Sequence, residues 1–341
     1  MPILYRKHRG DGTTMKIKTT RRMMMLLALA LIISIVGVAC NSKTDNANAG
    51  NAGSKASETP ELSLGLLPSI DAIPFIIAHE QGFDQKHGVN LNIQTFKSAK
   101  DRDVAFQAGK IDGLSADLVA ISIYNEAGLD VKITSTTFGE FDLLTGNNEI
   151  QEVKDLKGKT VILSKNTSTQ YTVAMMLKQA GLTEKDINIT EVPQIPTRLE
   201  LLKNNKADAA ILPEPFVTMG KESGLRVLSS TNQAQVNPFV LAFPQSVIEA
   251  KPEAIRAMYA AYDDAVAYMQ SHDQKDYIDL VIKEVGYPET LKDQIKVPAY
   301  IPANQVDLKE VESAFAWARE QGLLTKNITP EEVISDVDFK K

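Results

Sequence analysis

Cysteine is nearly missing from this chain of 341 residues: Cys40 is the only one. One thiol closes no internal disulfide and builds no cysteine-rich zinc or iron site. Histidine is almost as scarce. His8 lies near the start, His79 and His87 flank one expected helix end, and His272 is remote. They form no metal-ligating cluster, so no metal is expected. Long basic runs are missing from the body, and the net charge is −6. That balance disfavours nucleic acid, which is held by clustered Lys and Arg. There is no Gly-x-Ser-x-Gly turn, no phosphate loop and no His-Glu-x-x-His helix. No catalytic residue and no cofactor are therefore assigned.

The one long apolar run covers residues 23–39 and follows Lys16, Lys18, Arg21 and Arg22. A basic start, a short apolar middle and small residues at the end make an export signal, which reads cleanly from Met15. An uncleaved anchor helix is the alternative, since the run is borderline in length for a span. The run ends in Gly37-Val38-Ala39-Cys40. This resembles the bacterial lipobox, which usually has Leu where Gly37 stands. The resemblance implies a signal peptide over residues 1–39 and lipidation of Cys40. Two or more acyl chains, at roughly 0.8 kcal/mol per buried CH₂, hold a protein on a membrane. Residues 40–60 are rich in Asn, Ala, Gly and Ser and read as a flexible tether.

The rest has the ordinary composition of a globular protein, 43% apolar and 23% charged, and enough length for two lobes. Strands are expected at 62–67, 89–95, 131–135, 160–163, 188–191, 209–212 and 240–243. Helices fall between them, closed by Gly82, Gly109, Gly128 and Gly181. Ile255, Met258, Tyr259, Tyr262, Val266 and Met269 keep one helical stripe, and Val311, Ala314, Phe315 and Ala318 another. Such alternation predicts an α/β chain with largely parallel sheets and helices on both faces.

Four phrases carry a family resemblance: residues 66–83, 105–113, 155–161 and 206–216, the last reading Lys-Ala-Asp-Ala-Ala-Ile-Leu-Pro-Glu-Pro-Phe. In order and spacing they resemble the nitrate-, taurine-, alkanesulfonate- and thiamine-precursor-binding proteins of ABC transporters. The resemblance implies a two-lobed periplasmic-binding-protein-like fold of type II, two doubly wound lobes joined by two crossover strands. Lobe I would comprise 61–146 and 236–341, lobe II 151–233, with hinges at 146–148 and 232–237. It also implies a monomer on the outer face of the cell membrane, where an ABC permease and ATPase are its partners and a small solute is its cargo.

Ligands in open parallel sheets bind beyond the carboxyl ends of strands. Those ends offer Ser69, Asp71, Asp117, Phe138, Glu140 and Glu214, together with Asn166, Thr167, Ser168, Thr169 and Tyr171 at a helix start. Helix starts present free N–H groups. Thr167 and Ser168 can equally be plain caps, as can Asp71 and Asp117, and the aromatics can be core. Within these segments Lys165 is the only base. Carboxylates beside rings favour a neutral or cationic nitrogen heterocycle, such as a thiamine-type pyrimidine precursor. A sulfonate, taurine or nitrate ligand is the alternative. A ligand sensor on the same fold, without transport, is the alternative class.

Overall fold

The computed structural model describes residues 59–335. The expected export signal, the lipidated Cys40 and the tether through residue 58 lie outside the described residues, as do residues 336–341. No described helix is long and apolar enough to cross a membrane.

Among the described residues ten strands make two five-stranded sheets. They are β1 (Glu61–Leu66), β2 (Asn90–Thr95), β3 (Gly113–Asp117), β4 (Val131–Thr136), β5 (Phe141–Thr145), β6 (Thr160–Leu163), β7 (Asn188–Glu191), β8 (Ala209–Pro213), β9 (Arg226–Ser230) and β10 (Phe239–Pro244). The first sheet runs β2-β1-β3-β10-β4 and the second β7-β6-β8-β5-β9. β1 pairs parallel with β2 and β3, and β6 parallel with β7 and β8. The strand entering from the other sheet runs the opposite way in each case. β10 is antiparallel to β3 and β4, and β5 to β8 and β9.

Side-chain alternation sorts each sheet onto two cores. Leu241 and Phe243 of β10 join Leu62, Leu64 and Leu66 against the helices Ile73–Glu80 and Pro252–Ser271. Val240 and Ala242 point the other way, to Leu118, Phe315 and Trp317 of the helices Leu118–Glu126 and Leu308–Glu320. In the second sheet Leu143 and Val161 meet the helix Ser168–Gln179, while Leu144 and Ile162 meet Ile195–Lys203 and Phe216–Glu222.

The expected division at residue 146 is corrected by the pairing. Phe141–Thr145, placed with lobe I from the sequence, hydrogen-bonds with β8 and β9 of the second sheet. Gly146 and Asn147 look like a hinge but lead from β5 into a turn closed by Ile150 N on Asn147 O, and Asn147 Nδ2 donates to Asp208 Oδ1 at 3.2 Å. The chain crosses between sheets at residues 137–140 and returns at 231–238. The first crossing is short and half-buried and carries no loop-like composition, which hides it from sequence patterning.

Candidate functional site

The carboxyl ends of β1 and β3 face those of β6 and β8 across the two crossings. Between them lies a cavity lined from both sheets, with Ser69, Asp71, Arg102, Ser115 and Asp117 on one wall. Ser164, Thr167, Ser168, Thr169 and Arg198 form the other wall, and Gly139, Glu140, Phe141 and Phe239 the floor. It is narrow, with room for water centres over about 40 Å³. Side chains bridge its rims. Lys100 pairs with Glu191, and Gln194 Nε2 donates to Asp101 Oδ2 at 3.0 Å. The two lobes are closed on one another.

The acidic wall belongs to the first sheet. Asp71 is buried and accepts hydrogen bonds from the hydroxyls of Ser69 and Ser115. Burial raises it above the usual carboxylate range, against the pull of Ser115, Ser69 and Arg102. Asp117 caps the following helix, accepting from Ala120 N at 2.9 Å. Burial raises it too, opposed by Arg102, and the Ser168 hydroxyl across the cleft eases its charge. Arg102 donates to Asp103 from Nε at 3.0 Å and from Nη2 at 2.8 Å, and to Ser115 O. Burial opposes its charge, but Asp103, Tyr124 and Asp117 outweigh that and hold it protonated.

The opposite wall has a different balance. Arg198 is 3% exposed, and its partners are the carbonyls of Val192, Ile211 and Pro193 at 2.7, 3.2 and 3.0 Å. Burial alone lowers it, to about 10, and no carboxylate acts on it. It is still a cation at neutral pH. Beside it the helix Ser168–Gln179 begins, with Thr167 as its cap accepting from Thr169 N.

Seven of the residues expected from the sequence line this cavity. Ser69, Asp71, Asp117, Glu140, Thr167, Ser168 and Thr169 are brought together at the cavity. Four expected residues lie elsewhere. Phe138 packs edge-on against Tyr300, with centroids 5.8 Å apart. Asn166 is exposed, in a left-handed turn (φ 59°), and donates its N–H to Gln170 Oε1. Tyr171 turns away to Trp317 and Ser313. Glu214 caps the next helix through Thr218 N and Oγ1, both at 3.0 Å. The charge argument changes as well, because Lys165 is exposed. The cavity's cations are Arg102 and Arg198, which come from helices rather than strand ends. Both had a signal: Arg198 interrupts the apolar stripe Ile195, Leu199, Leu202, and Arg102 precedes Ala105 and Phe106 at the same spacing. Among the described residues no His, Cys, Asp and Glu group is placed to hold a metal ion.

Two sheets of this order enclosing a polar cleft define a periplasmic-binding-protein fold. The fold of SsuA, the periplasmic aliphatic sulphonate binding protein of Escherichia coli, superposes with a TM-score of 0.69 at 20% identity, covering 82% of this chain and 92% of that one. The chain belongs to the NMT1-like family, whose pattern matches residues 55–283. A protein of Brachyspira hyodysenteriae assigned by name to the ABC transporter periplasmic binding proteins is 25% identical over 227 residues, 60% of this chain and 64% of its own length. An Escherichia coli protein assigned by name to aliphatic sulfonates is 29% identical over 191 residues, 54% of this chain and 59% of its own. The chain thus spans about three fifths of the length of these curated relatives.

Proposed function

We propose that this chain is the extracytoplasmic solute-binding component of an ABC-type importer and performs no chemistry on its cargo. Acyl chains on Cys40 moor it to the membrane, and residues 41–60 tether the body. The lobes part at residues 137–140 and 231–238, admit a small organic solute, and close over it. The closed cavity holds only a few waters, so a solute enters and leaves through lobe opening.

Arg198 carries this reading. A guanidinium buried with carbonyl partners alone is an incomplete arrangement, because buried charges are ordinarily paired. An anionic group on the solute completes it. Ser168 and Thr169 at the helix start add hydroxyls and N–H groups suited to the same group. The solute we favour is therefore a small organic molecule with a sulfonate, carboxylate or phosphate head. The names of relatives agree with the sulfonate case. The opposite wall favours nitrogen donors, since Asp71 and Asp117 are acceptors there. A neutral or cationic heterocycle, such as a thiamine-type pyrimidine precursor, satisfies that wall and leaves Arg198 unanswered.

Calorimetry and thermal melting of the mature protein with alkanesulfonates, carboxylates, phosphates, pyrimidines and amines test this. A true cargo at a hundredfold excess over Kd raises Tm by about 5–10 °C. It also leaves the radius of gyration at the closed value. If no compound shifts either quantity, the chain is not a solute-binding protein. Tight binding of an uncharged pyrimidine with no response to any anion removes the role of Arg198.

A further inference from the structure

We propose that Asp103 is a positioning residue that takes Arg102 out of anion binding, and so sets the cleft for a head group with one negative charge. This rests on the solute-binding reading above and deepens its account of the anion site.

The two lobes repeat one another around their arginines. A strand, β2 or β7, leads into a helix whose fourth residue is the arginine: Arg102 in Ala99–Gln107 and Arg198 in Ile195–Lys203. Each arginine donates from Nη1 to the carbonyl of the middle residue of the next strand, 13 positions on: Ser115 of β3 or Ile211 of β8. The aspartate just before that strand accepts a backbone N–H in both lobes, Asp112 from Ser63 and Asp208 from Thr160, each at 2.8 Å. Arg102 and Arg198 are therefore counterparts, and both line the cavity.

The repeat breaks at the remaining nitrogens. Arg198 gives Nε and Nη2 to the carbonyls of Val192 and Pro193. Arg102 gives the same two nitrogens to one carboxylate oxygen, Asp103 Oδ1, at 3.0 and 2.8 Å. The buried Tyr124 donates its hydroxyl to that oxygen at 2.6 Å and fixes it in place. Where Asp103 follows Arg102, Leu199 follows Arg198. Burial opposes the charge of Arg102, and Asp103 leads the groups that offset it. No carboxylate does so for Arg198.

Carbonyls occupy N–H donors but carry no net charge, so Arg198 keeps its positive charge for the solute. A carboxylate in contact cancels that charge. The cleft thus presents one uncompensated guanidinium, although its architecture places two there. A second negative charge on the head group meets an Arg102 that is already paired, beside the carboxylates of Asp71 and Asp117. Leu199 shows that the repeat folds without an acid at this place, so Asp103 answers to charge and not to the fold.

The test is calorimetry on the mature protein at about pH 8 with propyl sulfate and propyl phosphate, esters of one shape that carry about one and about two negative charges. Wild type binds the sulfate more tightly. Asp103→Asn tightens both, the phosphate by at least about tenfold more than the sulfate. Asp103→Leu, which copies Leu199, gives the same shift and stands in for Asn if that variant does not fold. Asp103→Glu keeps the wild-type order. Adding Arg102→Gln to Asp103→Asn removes the gain, since no cation is left to free. An unchanged ratio in the Asn and Leu variants, a wild type that prefers the phosphate, or a gain that survives Arg102→Gln overturns the role of Asp103 and spares the anion site. A wild type that binds neither ester overturns that role too. One that binds no member of the wider panel either overturns the solute-binding reading itself.

Discussion

The hydroxyl of Tyr171 donates to Ser313 Oγ at 2.8 Å, and this bond joins the first long helix of one lobe to the last of the other. The ring meets Trp317 edge-on, and Glu184 accepts from Trp317 Nε1 and Gln321 Nε2 nearby. Tyr171 is thus part of the joint between lobes and does not line the cavity. Tyr171→Phe is expected to cost about 1 kcal/mol in urea unfolding. Its solute Kd stays within about threefold of wild type, which calorimetry checks. A loss of binding far beyond that returns Tyr171 to the cleft.

Arg198→Lys keeps the charge but not the planar fork, and it leaves carbonyls of Val192, Pro193 and Ile211 short of donors. Binding of an anionic solute should weaken by a factor of about ten to a hundred, together with a Tm loss of a few degrees. Uncharged solutes serve as the control and should lose little. Wild-type affinity for anions in the variant contradicts the role given to this residue.

Asp142 makes stability fall as pH rises. Its folded pKa, about 7, lies above the usual value of 3.8. The neutral form is favoured in the fold, so its contribution is fully present below pH 3.8 and is lost as pH climbs through about 7. The cost at pH 8 has an upper bound of about 4 kcal/mol. Asp142→Asn should therefore melt several degrees above wild type at pH 8, and the gap should shrink by more than half at pH 5. A gap that does not move with pH assigns the effect to packing.

Gly139 leaves no room for a side chain in the first crossing. A Cβ there would lie 2.6 Å from Cδ1 of Phe239, in the floor of the cavity. Phe239 is itself packed on Phe141 with centroids 4.8 Å apart. Gly139→Ala should cost about 1–3 kcal/mol and weaken solute binding, because the ring must move toward the cargo. Gly146→Ala, outside the cavity, should leave binding unaltered. Chemical denaturation and calorimetry on both variants separate the two effects.

Cys40→Ala should release the protein from membranes into the soluble extracytoplasmic fraction and abolish labelling by radioactive palmitate. Membrane retention of the unlabelled variant would show that residues 23–39 anchor it instead.

Most strands were legible because burial on both faces gives them uninterrupted apolar runs, as in residues 160–163 and 209–212. β9 was missed for the opposite reason: Arg226–Ser230 is an edge strand, only half-buried along most of its length. β5 was hidden by its neighbours, since Gly146 and Asn147 advertise a hinge that the pairing of Asp142 with Leu212 and Ser230 denies. At the site, strand-end logic found Asp71, Asp117 and the Thr167–Thr169 turn. It had no access to Arg102 and Arg198, which reach the cavity from helix faces. Arg198 gives one wall a positive sense and Arg102 offsets the carboxylates of the other, so the charge balance of the cavity was the least readable feature.

The insertion of β10 between β3 and β4 has a further consequence for how the molecule is made. The second sheet is drawn from one continuous stretch, residues 141–230, and assembles as soon as that stretch is available. The first sheet has a gap between β3 and β4 until residue 244 arrives. A nascent chain therefore carries a completed half and an unfinished one whose β3 and β4 edges stay bare until β10 fills the space between them.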